Sequence, residues 1–378
     1  MEKNKIVRGG SAEMKPELNV KKPFNELPFL PPKDVTLETI DILRQESKAA
    51  VALAELKGLA RTLPNPSILL NAVVLKEARA SSEIENVITT HDKIYQALAA
   101  KSAKPDAATK EVLRYREALL SGTKLVKQKG FLNTNGIIAI QRELEENDAG
   151  LRKLPGTALV SGSSNQIVYT PPDNHKDIIR LMRNLEGYMN EYDENLSPLI
   201  KMAIQHYQFE SIHPFYDGNG RTGRIINVIY LVLKGLLDEP ILYLSAYIIK
   251  NKKEYYRYLQ EVRTKGNWHA WILYMLKAVE ATSRETIEQI NQIQALFLKT
   301  QHQIQKKFPK MYSKDLVEQL FIQPYCKIEF LVNNMKMNRK TASHYLKSLE
   351  KEGILESEER GKETIYIYKK FYDLLKKG

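Results

Sequence analysis

The sequence contains a single cysteine, Cys326, and no long uninterrupted run of apolar residues. One cysteine excludes an intramolecular disulfide and argues against a metal cluster held by several thiolates. No stretch reaches the roughly 18 consecutive apolar residues of a membrane-spanning helix. The polar segment 1–10 also lacks the apolar centre of a secretory signal peptide. These absences predict a soluble, cytoplasmic protein with no membrane partner.

Histidine is scarce as well. The seven histidines are scattered and include no His-x-x-x-His pair, which argues against a transition-metal site. Lysine and arginine outnumber aspartate and glutamate by 57 to 45, and the formal net charge is +12. This charge suits a nucleotide or nucleic-acid partner, and equally a basic protein that binds neither. A hard cation held by carboxylate and phosphate oxygens stays compatible with the composition.

The densest group of polar residues lies at positions 213–224, where the sequence reads HPFYDGNGRTGR. His213 supplies a titratable base and Asp217 supplies a carboxylate. Arg221 and Arg224 are three residues apart, so that on a helix both could reach one polyphosphate. The intervening glycines allow backbone N–H groups to converge on an anion where a helix begins. The segment therefore predicts a phosphate-handling site.

Two other phosphate motifs describe this segment less well. Residues 218–223 spell G-x-G-x-x-G, but that dinucleotide fingerprint has meaning only after a β-strand. The preceding residues 199–210 carry apolar side chains at helical spacing, without the alternation of a strand. A P-loop would end in Gly-Lys-Ser/Thr, which the segment does not contain.

The twelve residues resemble the signature of the Fic family, H-P-F-x-[D/E]-G-N-G-R-x-x-R, with every defined position filled. The resemblance extends from about Pro31 to the C-terminus. It implies a mainly α-helical core that transfers AMP from ATP to a Ser, Thr or Tyr hydroxyl of a target protein. In that reaction His213 is the catalytic base and Asp217 binds Mg²⁺. The ATP-binding residues so implied are Glu85, His213, Gly218, Asn219, Gly220, Arg221, Thr222, Gly223, Arg224, Asn251 and Tyr256.

A second motif lies upstream, where residues 81–86 read SSEIEN and match [S/T]-x-x-x-E-[G/N]. In Fic proteins this pattern marks an inhibitory helix, and its defined positions here are Ser81, Glu85 and Asn86. Ser81 and Glu85 are one helical turn apart, so Glu85 can project from the helix towards a cationic pocket. Paired with Arg224, its carboxylate would occupy the guanidinium that a γ-phosphate needs. The sequence therefore predicts autoinhibition within one chain.

Residues 154–172 interrupt the helical pattern. The stretches 157–160 and 167–169 read as the two strands of a β-hairpin, separated by turn residues. The resemblance implies that this hairpin is the flap that holds a segment of the target protein by backbone pairing. The target itself is not identified, and modification of the enzyme by itself stays open.

The C-terminal residues change character and predict a winged-helix module of two helices and a β-hairpin. Its outward residues form a basic recognition face, which leaves DNA binding open. They are Arg339, Lys340, Ser343, His344 and Lys347. Glutamates at 356, 358 and 359 in the hairpin oppose that reading because they repel phosphates. The long helix before the module carries a narrow apolar stripe, which leaves a homodimer open.

These patterns divide the chain into five parts. They are a polar, proline-containing segment (1–35), an N-terminal helical region with the inhibitory helix (36–110), a catalytic core (111–277), a connecting helix (278–312) and a winged-helix domain (313–378).

Three alternatives to AMP transfer stay open. Relatives on the same fold transfer phosphate or phosphocholine. Glu85 also leaves removal of AMP open, because a carboxylate there could orient an attacking water. A different class is a regulator that binds DNA through its C-terminal module and senses nucleotide through its core.

Overall fold

The computed structural model describes residues 19–99, 104–161, 164–191, 196–360 and 363–376, and these are mostly helical, as predicted. The helices are α1 Ile40–Ala60, α2 Pro66–Ile84, α3 His91–Ala99, α4 Ala107–Lys129, α5 Thr134–Glu145, α6 His175–Asn190, α7 Pro198–Ile212, α8 Asn219–Leu233, α9 Leu244–Lys250, α10 Lys252–Lys265, α11 Trp268–Lys307, α12 Lys314–Ile322, α13 Ile328–Met335, α14 Arg339–Lys351 and α15 Lys369–Lys376. The strands are β1 Leu159–Val160, β2 Ile167–Tyr169, β3 Tyr325–Cys326, β4 Glu356–Arg360 and β5 Glu363–Ile367.

Helices α7 and α8 form the centre of the core. Every residue of α7 from Leu199 to Ile212 is buried, and so is most of α8. The apolar run after the glycine-rich segment is therefore the buried body of α8, and its N-terminus carries the signature residues. Trp271 of α11 donates its indole N–H to the carbonyl of Ala203 at 2.7 Å, which joins α11 to this pair.

Helix α2 is held deep in the same core. Asn65 caps its N-terminus by accepting a hydrogen bond from the backbone N–H of Ser67 at 2.9 Å, and Pro66 occupies the first turn, where its missing N–H costs nothing. Thirteen of its residues are buried. The predicted helix leading to Glu85 is confirmed, and it is a core element of the fold.

The predicted hairpin at 154–172 is present as β1 and β2, which pair antiparallel with a bulge. Val160, Ile167 and Val168 are exposed by 53%, 36% and 38%, so the hairpin presents apolar side chains to solvent. Ser163 and Gly162 of its turn lie outside the described residues.

The polar segment predicted at 1–35 is described from residue 19 onwards. It runs over the surface beside the hairpin: Phe24 donates its backbone N–H to the carbonyl of Thr170 at 3.1 Å, and the Thr170 hydroxyl donates to the carbonyl of Val20 at 2.7 Å. The rest of the predicted segment, 1–18, lies outside the described residues.

The C-terminal part contains the predicted helices and hairpin together with a short additional strand. Strands are ordered β3-β5-β4, and α13 and α14 lie between β3 and β4 in the chain. Asn338 caps α14 by accepting from the N–H of Thr341 at 2.8 Å, and Gly353 adopts a left-handed conformation (φ 70°) just after it. The predicted boundary at 277/278 is not the start of a helix, because α11 runs unbroken across it.

Among the helices of the described ranges, none combines the length and apolar character that crossing a lipid bilayer demands.

Candidate active site

The signature residues lie in the loop between α7 and α8 and in the first turns of α8. His213 ends α7 in a left-handed conformation (φ 49°), which is uncommon for a residue other than glycine. Gly218 is the N-cap of α8 and is also left-handed (φ 76°). A side chain at Gly218 would collide with the carboxylate of Glu145, so only glycine fits this turn. The loop thus places an imidazole beside the N-terminus of a helix.

The amide of Asn219 holds the loop closed. Its Oδ1 accepts from the backbone N–H of Phe215 at 2.8 Å, and its Nδ2 donates to the carbonyl of Phe215 at 2.8 Å. Both ends of the side chain are therefore used within the loop. The family resemblance implies that Asn219 binds ATP, whereas in the structure its amide holds the shape of the loop.

An open cavity of about 1300 Å³ lies between this loop, the hairpin, the end of α2 and helix α10. Eight of the predicted ATP-binding residues line it: Glu85, His213, Gly218, Asn219, Gly220, Arg224, Asn251 and Tyr256. Three do not, namely Arg221, Thr222 and Gly223. Thr222 is fully buried, and Gly223 packs against α7 with no room for a side chain. None of these three residues therefore presents a side chain to the cavity.

Glu85 contacts the signature arginines directly. Its Oε1 lies 2.7 Å from NH2 of Arg224, and its Oε2 lies 3.0 Å from Nε of Arg221. Arg224 also donates from Nε to the Ser81 hydroxyl at 2.7 Å and from NH2 to the Ser81 carbonyl at 2.9 Å. The predicted pairing of Glu85 with Arg224 is therefore present, and Ser81 holds the same guanidinium from behind.

The turn after α2 explains why the upstream motif accepts only glycine or asparagine after its glutamate. Asn86 is left-handed (φ 66°), the N–H of Val87 donates to the Ser82 carbonyl at 3.0 Å, and the N–H of Asn86 donates to the Glu83 carbonyl at 3.0 Å. This is a Schellman ending, whose left-handed position favours these two residue types. The turn fixes the helix end from which Glu85 reaches the arginines.

Arg221 is surrounded by carboxylates. It lies 2.9 Å from Glu145 and 3.6 Å from Asp217, and it also pairs with Glu111 and with Glu85. Its side chain is only 6% exposed. The sequence predicts that Arg221 reaches the same polyphosphate as Arg224. In the structure the Arg221 guanidinium is instead already paired with carboxylates.

Burial lowers the pKa of His213 to about 3, with the nearby cations Arg152 and Arg263 adding to the effect. The sequence argument takes the ordinary histidine value of about 6.5. With the lowered value the imidazole is neutral throughout the physiological range. It therefore holds a free lone pair, which a base requires, although it is intrinsically a weaker base than an exposed histidine.

The two tyrosines at the start of α10 have different surroundings. Tyr255 is buried, and its hydroxyl is 2.8 Å from Nε2 of His206, so it belongs to the core. Tyr256 is 49% exposed and faces the cavity, where a ring can stack on a base. Asn251 also lines the cavity, but its Nδ2 donates to the Tyr247 carbonyl at 2.9 Å.

Asp217 lies at the mouth of the cavity with 76% of its side chain exposed. Its Oδ1 accepts from the N–H of Gly218 at 2.7 Å. The described residues contain no group of three or more His, Cys, Asp or Glu placed to hold a metal ion. A cation here would have one protein carboxylate and would need its other oxygens from phosphates and water, which is the usual way that Mg²⁺ is bound.

The sequence does not predict a role for Arg152, which holds the loop by hydrogen bonds to its backbone carbonyls. It is fully buried, donates from Nε to the His213 carbonyl at 2.7 Å and from NH2 to the Ile212 carbonyl at 3.2 Å, and also contacts the Pro172 carbonyl. Its own N–H donates to the Pro214 carbonyl at 2.9 Å. No local pattern marks it, because its partners lie 20 to 62 residues away.

Replacing Arg152 with methionine should lower the free energy of unfolding by about 3 to 5 kcal/mol, because buried carbonyls lose their donors together. Urea unfolding measures this change. Arg142→Met is the matched control: Arg142 is 60% exposed and its pair with Asp148 is 3.5 Å long, so its loss should cost under about 0.5 kcal/mol. Equal costs for the two variants would contradict the supporting role of Arg152.

Three family models match the chain. The model described as Fic/DOC family N-terminal matches residues 43–124, the Fic/DOC family model matches residues 131–231, and the model described as protein adenylyltransferase SoFic-like, C-terminal domain, matches residues 296–371. The second contains the whole glycine-rich loop, and the first contains Glu85.

Individual proteins are similar over shorter stretches. The chain is 30% identical over 112 residues to "Protein adenylyltransferase Fic" of Drosophila willistoni, which is 29% of this chain and 21% of that relative. It is 29% identical to the protein of that name from Drosophila melanogaster, again over 112 residues and 21% of the relative. The chain thus spans about a fifth of the length of the curated relatives it matches.

Among solved structures, a Fic family protein from Desulfovibrio desulfuricans G20 superposes with a TM-score of 0.57 and 20% identity, covering 88% of this chain and 96% of that one. A fragment of Fic-1 from C. elegans gives a TM-score of 0.50 at 20% identity, over 66% and 74% of the two chains. At these identities the likeness shows a shared fold.

Proposed function

Because the chain belongs to the Fic/DOC family, we propose that it is an autoinhibited protein adenylyltransferase, which moves AMP from ATP to a Ser, Thr or Tyr hydroxyl of a protein and releases pyrophosphate. One observation carries the proposal: the cavity brings a neutral imidazole, His213, to the N-terminus of α8 and to the buried cation Arg224. A base, an anion-binding helix end and a guanidinium are what transfer of a nucleotidyl group needs.

His213 takes the proton from the incoming hydroxyl as its oxygen attacks the α-phosphorus. The oxygen–phosphorus bond to pyrophosphate then breaks, and AMP stays on the hydroxyl oxygen. The free N–H groups of the first turn of α8, from Asn219 onwards, bind phosphate oxygens along the helix axis. Arg224 pairs with the β- and γ-phosphates once Glu85 has left it. Tyr256 provides the exposed ring against which adenine stacks.

Asp217 fits a divalent cation, since its exposed carboxylate faces the cavity beside the phosphate-binding turn. Bound Mg²⁺ would offset negative charge on the phosphates. The residues of this chain then have the tasks of positioning the nucleotide and removing the proton.

Glu85 is the proposed inhibitory group. Its carboxylate occupies both signature arginines at 2.7 and 3.0 Å, and a side chain at Gly220 would lie 2.5 Å from its Oε1. It therefore lies where phosphate oxygens at the start of α8 would lie, and its charge repels them. The alternative of AMP removal uses the same carboxylate to orient water, and the labelling experiment below separates the two.

The hairpin β1–β2 is the proposed holder of the target protein. Its strands form one wall of the cavity, and its exposed Val160, Ile167 and Val168 can contact an added strand of the target. The C-terminal module is proposed to be a winged helix, on the strength of its helix order and its β3-β5-β4 sheet. Arg339, Lys340 and Lys347 of α14 are exposed. This face can dock DNA or a protein partner.

The proposal is tested by incubating Glu85→Gly with Mg²⁺ and ATP that is radiolabelled at the α- or the γ-phosphate. Protein labelled from α-ATP alone is the expected result, because AMP keeps only the α-phosphorus. Label from γ-ATP would instead identify a phosphate transferase. Release of AMP from a pre-modified protein by the chain that keeps Glu85, together with no incorporation by Glu85→Gly, would identify the de-AMPylating alternative. Specific DNA retention that survives loss of His213, with no label at all, would favour the regulator.

A further inference from the structure

Glu210 is a buried carboxyl group at the cavity that the proposed mechanism does not use. It lies in α7 one turn before His213, is 8% exposed and lines the cavity. Within the described residues, two lining side chains carry a buried polar atom without a hydrogen-bond partner: Nδ1 of His213 and Oε1 of Glu210. The first belongs to the proposed base. The second has no assigned role.

A structural carboxylate in this protein has different surroundings. Glu77 is fully buried, and its two oxygens accept from the Tyr115 hydroxyl at 3.0 Å and from the N–H and hydroxyl of Ser245 at 2.9 and 2.5 Å. Glu210 has no such bond or ion pair in the described chain. A buried carboxyl without donors is costly, and a hydrogen-bond donor on a bound ligand would offset that cost.

The fold makes room for this carboxyl at a specific place. A side chain at Gly223 would collide with Oε1 of Glu210, so the glycine of α8 admits the carboxyl between α7 and α8. Arg224 lies close enough to influence it, but that guanidinium is bonded to Ser81 and Glu85. Burial raises the pKa of Glu210 to about 7, so near neutral pH the carboxyl exchanges between its protonated and ionised forms.

Resting on the proposed function, we propose that Glu210 recognises the nucleoside of the bound nucleotide by accepting a hydrogen bond from one of its donors, a ribose hydroxyl or the base amine. The position supports this: Glu210 lines the same cavity as His213, the proposed base at the α-phosphate, and Tyr256, the proposed stacking ring for adenine. Carboxylates commonly read ribose hydroxyls in this way. Glu210 would then set which nucleotides the enzyme accepts.

The test measures dissociation constants by calorimetry in the Glu85→Gly chain, with Mg²⁺, for ATP and three analogues. These are 2′-deoxy-ATP, 3′-deoxy-ATP and purine riboside triphosphate, which lack the 2′-hydroxyl, the 3′-hydroxyl and the base amine. The same four ligands are then measured after adding Glu210→Met. The matched control is Glu254→Gln, which removes an equal charge from the exposed mouth of the same cavity.

We expect at least one analogue to bind about 10- to 100-fold more weakly than ATP, the usual worth of a hydrogen bond to a charged group. Glu210→Met should weaken the binding of ATP by that factor. In this variant ATP and that analogue should bind equally well, and the group that the analogue lacks is then the donor that Glu210 recognises. Glu254→Gln should leave every ratio unchanged. Unchanged binding of ATP in Glu210→Met, a difference that persists there, or no binding of ATP to the Glu85→Gly chain would each overturn the inference.

Two further measurements distinguish nucleoside recognition by Glu210 from a structural role of this residue and from the proposed AMP transfer. Since the Glu210 carboxyl has no hydrogen bond or ion pair among the described residues, Glu210→Met should not lower the free energy of unfolding, whereas loss of a structural carboxylate would. Nucleotide binding also does not depend on transfer. If ATP binds with the expected ratios but no α-label reaches protein, the transferase proposal fails and the nucleoside-recognition inference stands.

Discussion

Replacing Glu85 with glycine is expected to raise the rate of AMP transfer by about 10- to 100-fold. The carboxylate holds Arg224 and Arg221 through charge-assisted contacts of 2.7 and 3.0 Å in a site where Arg224 is 2% exposed. Such a bond contributes about 1.5 to 3 kcal/mol, and each 1.4 kcal/mol is a factor of ten in productive nucleotide binding. The expected free energy lies at the lower end of the range for ion pairs, because the side chain of Glu85 is itself 27% exposed.

The location of Glu85 limits how the inhibition can be relieved. It follows a helix of which thirteen residues are buried, so α2 cannot leave the core without unfolding it. The end of the helix is also fixed by the Schellman bonds of Asn86 and Val87. Movement of the Glu85 side chain, or of that last turn, is therefore the least costly route to a free Arg224. Removing the side chain imitates this route while the helix stays in place.

Glu83→Gly is the control for the Glu85 prediction. Glu83 lies in the last turn of α2, is 37% exposed and pairs with Arg79 at 3.4 Å, away from the cavity. A glycine there loosens the helix end by about 1 kcal/mol without touching Arg224. Initial rates of labelling from α-ATP compare the variants. Activation by both substitutions would point to loosening of the helix, and activation by neither would contradict inhibition by Glu85.

Local sequence motifs anticipated the parts of the site that depend on neighbouring residues. The glycine-rich loop, the helix after it, and the helix turn that carries Ser81 and Glu85 all follow from short-range geometry, and the structure contains them. The pairing of Glu85 with Arg224 joins residues 139 apart, and it is the family resemblance that predicts it. Periodicity alone does not give it.

The parts that sequence could not supply depend on distant partners. Arg221 is placed among four carboxylates from three other segments and from its own turn, and nothing in its spacing from Arg224 shows this. Asn219 turns its amide back onto Phe215, although its motif position suggests a ligand contact. Glu210 lies in a buried helix, and nothing in its sequence position distinguishes it from the other buried residues of that helix. Burial and missing partners become visible only in three dimensions.

Replacing His213 with asparagine, in the Glu85→Gly chain, is expected to lower AMP transfer by about 100- to 10,000-fold, the usual contribution of a general base. Asparagine suits the test because residue 213 is left-handed (φ 49°), a conformation that asparagine tolerates better than most residues. The variant therefore keeps the loop and removes the proton acceptor. Transfer is measured by label from α-ATP, and ATP affinity by calorimetry.

The affinity for ATP should change little, because the helix end and Arg224 that bind phosphates remain. His302→Ala, an exposed histidine on α11, serves as the control and should leave transfer unchanged. Retained transfer in His213→Asn would remove His213 as the base. Loss of ATP binding together with transfer would show that the imidazole shapes the loop. Because the lowered pKa keeps His213 neutral, loss of transfer with binding intact at pH 7 identifies its lone pair as the acceptor of the hydroxyl proton.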